Sequence, residues 1–315
     1  MNNGSARAAR GHNGYPRRMI CTGFVFFASV LWGASFVTQK LAGQYMGSFT
    51  YNGVRFAMGA LVLLPVIFFL ERHDRQKNRL AWKAGLAGGL ILFVASNLQQ
   101  FGIILSPSPT SAGEAGFITG LYTVLVPIFG LALGRRAGVL TFVSAALAFG
   151  GLALISIGPE GAASIQLSDL LLVLGAVFWA VHILVIDHFA DSVSPLRFAS
   201  IQFAVASALS LLSAFSFEQV SFEAIRAGAL PLLYGGVLAT GLAYTLQIFG
   251  QRGVAPARAA IIFSLESLFA ALSEAVFLGQ AMTLRKYIGG AVIFAGILLS
   301  QLSREGKLKR RNRKI

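Results

Sequence analysis

Two carboxylates, Glu266 and Glu274, interrupt the otherwise apolar run IIFSLESLFAALSEAVFLGQ at 261–280. An ionised acid at the centre of a membrane-spanning helix costs about 2.5–3.5 kcal/mol on insertion scales. Either the run does not span, or something inside the protein uses these groups. Burial disfavours the ionised form of a carboxyl group, so such a group can be protonated in one conformation and charged in another. That is the requirement of proton-coupled exchange, and the same group can instead pair with a cationic part of a ligand. Glu266 lies about nine residues into its expected helix, near the midplane, while Glu274 is rotated by about 80° and sits nearer one end. Glu266 is therefore the leading candidate for proton coupling and Glu274 the secondary one. For both, a neutral acid hydrogen-bonded to a neighbouring helix is the alternative.

Uncharged polar and aromatic side chains form stripes at helical spacing. Trp32, Ser35 and Gln39 fall within an arc of about 60°, and Trp179 and His182 repeat the first two positions later in the chain. Such a stripe can stack on and hydrogen-bond a ligand, or simply fill volume between helices. Asn97 and Gln100 share a face, as do Thr119, Tyr122 and Thr123, while Thr240, Tyr244, Gln247 and Gln251 form a longer stripe. Left in lipid these groups would be poorly satisfied, so they are expected to face a bundle interior. Lys40, Arg55 and Glu114 are expected near the outer ends of their helices, as an ion-pair cluster or as snorkelling chains. No metal site is expected, since His182 stands alone.

The elements that must position these groups are apolar helices. The 315 residues are 56% hydrophobic and only 12% charged, with a mean hydropathy of +0.71. A soluble domain carries roughly 25% charged residues, so the chain lacks the polar surface to cover a water-facing globule. The expected fold class is an all-α polytopic membrane protein. Ten runs are marked near 20–40, 49–70, 82–105, 112–133, 138–157, 167–187, 196–216, 229–251, 258–279 and 285–302.

Charge sets the orientation. With both termini inside, twenty-one Lys and Arg residues fall on the inner side and four on the outer, with Arg55 inside a span. This is a positive-inside pattern, and the net charge of +14 is read as topology and headgroup contact rather than nucleic-acid binding. The expected location is a bacterial cytoplasmic (inner) membrane, with both termini cytoplasmic. The single cysteine, Cys21, allows no internal disulfide.

The chain repeats itself. A shift of 147 positions lays LWGASFV at 31–37 on FWAVHIL at 178–184, and VRFAMGALVLL at 54–64 on IQFAVASALSL at 201–211. A shift of 148 pairs LQQFG at 98–102 with LQIFG at 246–250, and LALG at 131–134 falls on VFLG at 276–279 after a small loop adjustment. Ten transmembrane helices in two repeats of five, an odd number, give halves that enter the membrane in opposite senses. Inverted repeats characterise secondary transporters, because exchanging the two conformations turns an inward-open state into an outward-open one. The organisation expected is a basic tail at 1–19, a five-helix repeat at 20–157, a linker at 158–166, a second repeat at 167–302 and a basic tail at 303–315.

LWGASFV, VRFAMGAL, FITGLYTVLVPIFGLALGRR and SLESLFAALSEAVFLGQ followed by YIGGAVIFAGILLS resemble, in this order, the drug/metabolite transporter superfamily, and within it the EamA-type ten-helix permeases. The resemblance covers roughly residues 20–302 and implies a carrier, often an exporter, for amino acids, other small metabolites or drug-like molecules. Two positions depart from the family pattern. The acid that commonly closes the fourth and ninth spans is Arg135 in one half and Gln280 in the other. The proline often found after the ninth-helix glutamate is Ser267, which implies a less kinked helix.

The function expected is secondary transport by alternating access, with efflux as the direction, a small-molecule substrate and the lipid bilayer as partners, and no cofactor. A homodimer is left open. An intramembrane enzyme would need a nucleophile, base or metal cluster, and no HExxH, GxSxG or Cys/His cluster occurs. A channel or facilitator is the alternative, distinguished by a continuous pore.

Overall fold

The computed structural model describes residues 14–70, 75–109, 111–132, 139–156, 166–254 and 256–302. Among these residues there are helices and no strands. They are α1 (Gly14–Ala42), α2 (Ser48–Leu70), α3 (Arg75–Leu105), α4 (Ser111–Thr119), α5 (Tyr122–Ala132), α6 (Val139–Ser156), α7 (Leu167–Phe189) and α8 (Pro195–Phe217). Short helices α9 (Phe222–Ala227) and α10 (Ala229–Leu233) lead into a π-helical segment, Tyr234–Leu242, and then α11 (Ala243–Gln251), α12 (Pro256–Phe263), α13 (Leu265–Leu278) and α14 (Leu284–Leu302). Among the described residues, seven helical stretches are long and apolar enough to cross a membrane: Met19–Ala42, Ser48–Phe69, Arg79–Leu105, Ser111–Gly130, Leu167–Phe189, Pro195–Phe217 and Ala229–Gln251. The expected tails and linker, 1–19, 158–166 and 303–315, lie mostly outside the described residues.

Local sequence explains the boundaries. Ser194 caps α8, its hydroxyl accepting from Arg197 N at 3.4 Å, and Pro195 supplies the fixed φ of a first helical residue. Gly279 ends α13 in the left-handed region (φ 63°), a conformation that side chains with a Cβ rarely adopt. Two breaks fall inside apolar runs. Between α4 and α5, Leu121 N bonds Ile118 O and Thr123 N bonds Gly120 O, a tightened turn at Gly120–Leu121. Between α12 and α13, Ser267 N bonds Ser264 O at 3.1 Å. The helix is interrupted at Ser264 alone, whose backbone stays in the right-handed region (φ −61°, ψ −17°), with no proline at 267. Ser267 spends its hydroxyl on Gly116 O at 2.7 Å, tying α13 to α4.

Packing interleaves the two halves of the chain. α3 lies on α7 as α11 lies on α1, and α1 lies on α13 as α7 lies on α5. Helix α2 packs on α8, and α6 on α14, each facing the segment its own sequence repeats. Close approach at α6–α14 needs small residues: a Cβ on Gly151 would meet Gly289 O at 2.5 Å, and one on Gly289 would meet Gly151 O at 2.8 Å. The exterior is apolar, with Leu61, Phe68, Phe69, Phe215 and Phe277 all more than half exposed, while Ser35, Gln39, Asn52, Gln100 and Gln202 are buried. That inverts the pattern of a water-soluble protein and matches a chain solvated by lipid.

Candidate functional site

Many of the interior polar groups line one cavity, with a volume of about 40 Å³. At roughly 10–15 Å³ per water, the cavity is narrow in this conformation. It is lined by α1 (Trp32, Ser35, Phe36, Gln39), α2 (Arg55), α3 (Gln99), the α4–α5 break (Thr119, Tyr122), α7 (Trp179, Ile183), α11 (Tyr244, Gln247) and the α12–α13 break (Phe263, Glu266). Both halves contribute, so the site lies where they meet.

Its floor and walls are aromatic. Tyr244 is the hub, with its ring centroid 4.8 Å from Trp32, 6.2 Å from Trp179 and 5.6 Å from Phe203. Trp32 also contacts Phe263 at 5.3 Å and donates its indole N–H to Ala239 O at 2.9 Å, inside the π-helical segment. A chain of hydrogen bonds crosses from α7 to α1. Trp179 Nε1 donates to Gln99 Oε1 (2.8 Å), Gln99 Nε2 to Gln39 Oε1 (2.9 Å), Gln39 Nε2 to Ser35 Oγ (3.3 Å) and Ser35 Oγ to Trp32 O (2.7 Å). Buried polar groups joined in this way set one another's orientation.

Glu266 stands in the first turn of α13, 5% exposed. Tyr122, at the start of α5, lines the same cavity. Each break in the fold thus delivers one of these groups to the cavity. Gly33 allows α1 to lie against this turn, since a Cβ there would meet Glu266 O at 2.8 Å and Ala270 N at 3.1 Å. Two buried cavity atoms have no hydrogen-bond partner, Thr119 Oγ1 and Gln247 Oε1; such orphans are costly unless something binds them.

The other residues picked out from sequence lie elsewhere. Asn97 ties helices together: its Oδ1 accepts from Asn52 Nδ2 (2.9 Å) and its Nδ2 donates to Ser210 Oγ (3.1 Å). Gln100 Nε2 donates to Gln39 O at 2.8 Å, behind the cavity wall. His182 Nε2 pairs with Gln202 Oε1 at 3.0 Å, and its ring packs edge-on against Trp179 and Tyr244 without lining the cavity. Thr240 bonds Gly235 O at 2.7 Å. The π-helical segment that ends at Leu242 shifts the phase of the helix, so the stripe drawn from Thr240 to Gln247 does not stay on one face. Among the described residues no His, Cys, Asp and Glu group could hold a metal ion.

Glu274 is fully buried and is not among the residues that line the cavity. Its carboxylate accepts from Lys40 Nζ at 2.8 Å, from Gly113 N at 2.7 Å and from Ala112 N at 3.2 Å, the last two at the start of α4. Lys40 also donates to Gln280 Oε1 at 2.8 Å and to Pro109 O. Nearby, Lys286 pairs with Glu114 at 2.6 Å. Of the three charges expected together, Lys40 and Glu114 are held in ion pairs, with Glu274 and Lys286. Arg55 is not: it lines the cavity.

Sequence reasoning passed over Arg55, Gln99 and Phe263 as lining. A signal for Gln99 was present, because the LQQFG and LQIFG repeat aligns it with Gln247, and both line the cavity.

The family model described as "EamA-like transporter family" matches residues 19–157 and again 166–302. An uncharacterized transporter of Archaeoglobus fulgidus is 31% identical over 277 residues, covering 87% of this chain and 83% of that one. The uncharacterized transporter YvbV of Bacillus subtilis is 27% identical, covering 87% and 88%. A solved crystal structure superposes with a TM-score of 0.65 at 20% identity, over 90% of this chain and 96% of the other, a likeness of fold.

Proposed function

The chain belongs to the EamA-like transporter family and is a multi-pass membrane transporter rather than an enzyme, and from this premise we propose that it is a secondary carrier working by alternating access. In this reading ten helices form two inverted five-helix repeats, with both termini on the cytoplasmic side of a bacterial cytoplasmic membrane. The substrate is a small metabolite, amino-acid-like or drug-like, and the direction is efflux. The exchange of equivalent helix contacts between the halves supports the repeat, and the strong Lys/Arg asymmetry supports the orientation.

The observation that carries the reading is Glu266: a carboxyl group at the start of a broken helix, lining a cavity built by both halves. Discontinuous helices whose N-terminal ends face a central site are a recurring device of transporters. Here Glu266 exchanges a proton as the cavity changes the side it faces. Glu274, held by a lysine and two backbone N–H groups, ties the outer ends of α1, α4 and α13 together. The aromatic walls hold the body of the substrate by stacking.

The test is counterflow in proteoliposomes loaded with candidates identified by comparing exported metabolites of overexpressing and deletion strains. Glu266→Gln is expected to keep the protein in the membrane and to flatten the pH dependence of exchange. A wild-type pH profile in that variant removes the coupling role. Unitary currents without saturable counterflow would replace the carrier by a channel.

A further inference from the structure

Two charges break the repeat, and both line the cavity. Glu266 aligns with Leu121, and Arg55 aligns with Gln202; in each case the other half carries an uncharged residue. Gln202 is occupied with His182 at 3.0 Å, whereas Arg55 lines the cavity. Arg55 is only 3% exposed. Its Nε donates to Asn52 Oδ1 at 2.8 Å, and the guanidinium carbon lies 4.6 Å from the Phe56 ring centroid and 5.2 Å from that of Tyr51. Among the described residues no carboxylate stands within ion-pair distance of it.

A buried cation without an anion is expensive, and cation–π contacts offset only part of that cost. With Nε anchored, the two terminal nitrogens keep the fork that matches a carboxylate. Asn52 is itself fixed, donating to Asn97 Oδ1 at 2.9 Å and to Ser96 O at 3.1 Å, so the guanidinium is presented by a preorganised support. Glu266 stands on a different helix of the same cavity, and Tyr244 lies within electrostatic reach of both charges. Glu266 sits at a helix break, and among the described lining residues Arg55, on α2, is the one cation.

We propose that Arg55 is the carboxylate-binding residue of the cavity and that the substrate is a small compound carrying a carboxylate on an apolar or aromatic body. This rests on the carrier reading of the same cavity and assigns the pole opposite Glu266. The aromatic rings around Tyr244 take the body, and the Arg55 fork takes the two carboxylate oxygens.

The experiment measures binding, so that it stands apart from transport. Full-length purified protein is titrated with matched acid and alcohol pairs, from propionate and propanol to 3-phenylpropionate and 3-phenylpropanol, following the fluorescence of its tryptophans, two of which line the cavity. The wild type is expected to bind at least one acid ten-fold or more tightly than its alcohol. Arg55→Gln removes that preference, and Arg55→Lys, which keeps the charge but loses the fork, retains part of it. Circular dichroism and monodispersity of the Lys variant guard against a folding defect. Equal binding of acids and alcohols, no acid binding at all, or an undiminished preference in Arg55→Gln overturns the proposal. Arg55-dependent acid binding without counterflow would leave this subsite standing and remove the carrier reading. Normal counterflow in Arg55→Gln would do the reverse.

Discussion

Replacing Glu274 by alanine removes three interactions at once, and their unequal sizes make a sharp test of its role. Breaking one side of a buried ion pair costs about 3–5 kcal/mol. The Lys40 side chain is 17% exposed and the Glu274 side chain 1%, and Lys40 keeps Gln280 Oε1 and Pro109 O as partners, which places the loss from the pair at the low end, about 3 kcal/mol. The variant also leaves Ala112 N and Gly113 N without their acceptor, at about 1–3 kcal/mol for a buried group left unsatisfied. These terms overlap, so Glu274→Ala is expected to cost about 3–4 kcal/mol. Lys40→Ala leaves the carboxylate with both backbone donors, and is expected to cost about 2 kcal/mol, the size of one hydrogen bond to a charged group. The double variant should cost less than the sum by at least about 1 kcal/mol, because the pair can be broken only once. The assay is reversible SDS unfolding in mixed micelles, followed by tryptophan fluorescence. Additivity within about 0.5 kcal/mol, or a lysine variant as costly as the glutamate variant, would refute the assignment of Glu274 to both the ion pair and the start of α4.

Two further outcomes can be checked. Gly151→Ala places a Cβ against Gly289 O and Ile293 N on α14, and the forced separation should destabilise by about 1–3 kcal/mol; Gly150→Ala, with nothing within 4 Å of its Cβ, should be neutral or slightly stabilising in the same unfolding assay. For topology, a Cys21→Ser background carrying Glu223→Cys should react with an impermeant maleimide from outside intact cells, and one carrying Asn78→Cys only after permeabilisation. The opposite pattern would invert the proposed orientation.

Much of the site was legible in the residues. Trp32, Ser35 and Gln39 line the cavity as their helical spacing indicated, and so do Thr119, Tyr122, Trp179, Tyr244, Gln247 and Glu266. These are local inferences: polar groups in an apolar run are unsatisfied in lipid and must turn inward whatever the partner is. Thr240 shows where local reasoning stops. Its place on the stripe holds only for a uniform α-helix, and the π-helical segment Tyr234–Leu242 inserts a phase change that no single residue type announces.

The sequence alone determined the solvent, since so few charges cannot cover a globule in water, and it determined the apolar runs, the repeat and the anomaly of a carboxyl group at Glu266. Tertiary structure decided which anomaly has a partner. Glu274 and Lys40 are separated by 234 positions, and Trp179 and Gln99 by 80, so neither pairing is visible in a window of neighbours. Arg55 and Lys40 read alike as cations near helix ends. Packing gave one an ion pair and left the other facing a cavity, because a side chain's partner is set by the helices laid against it and not by its own helix.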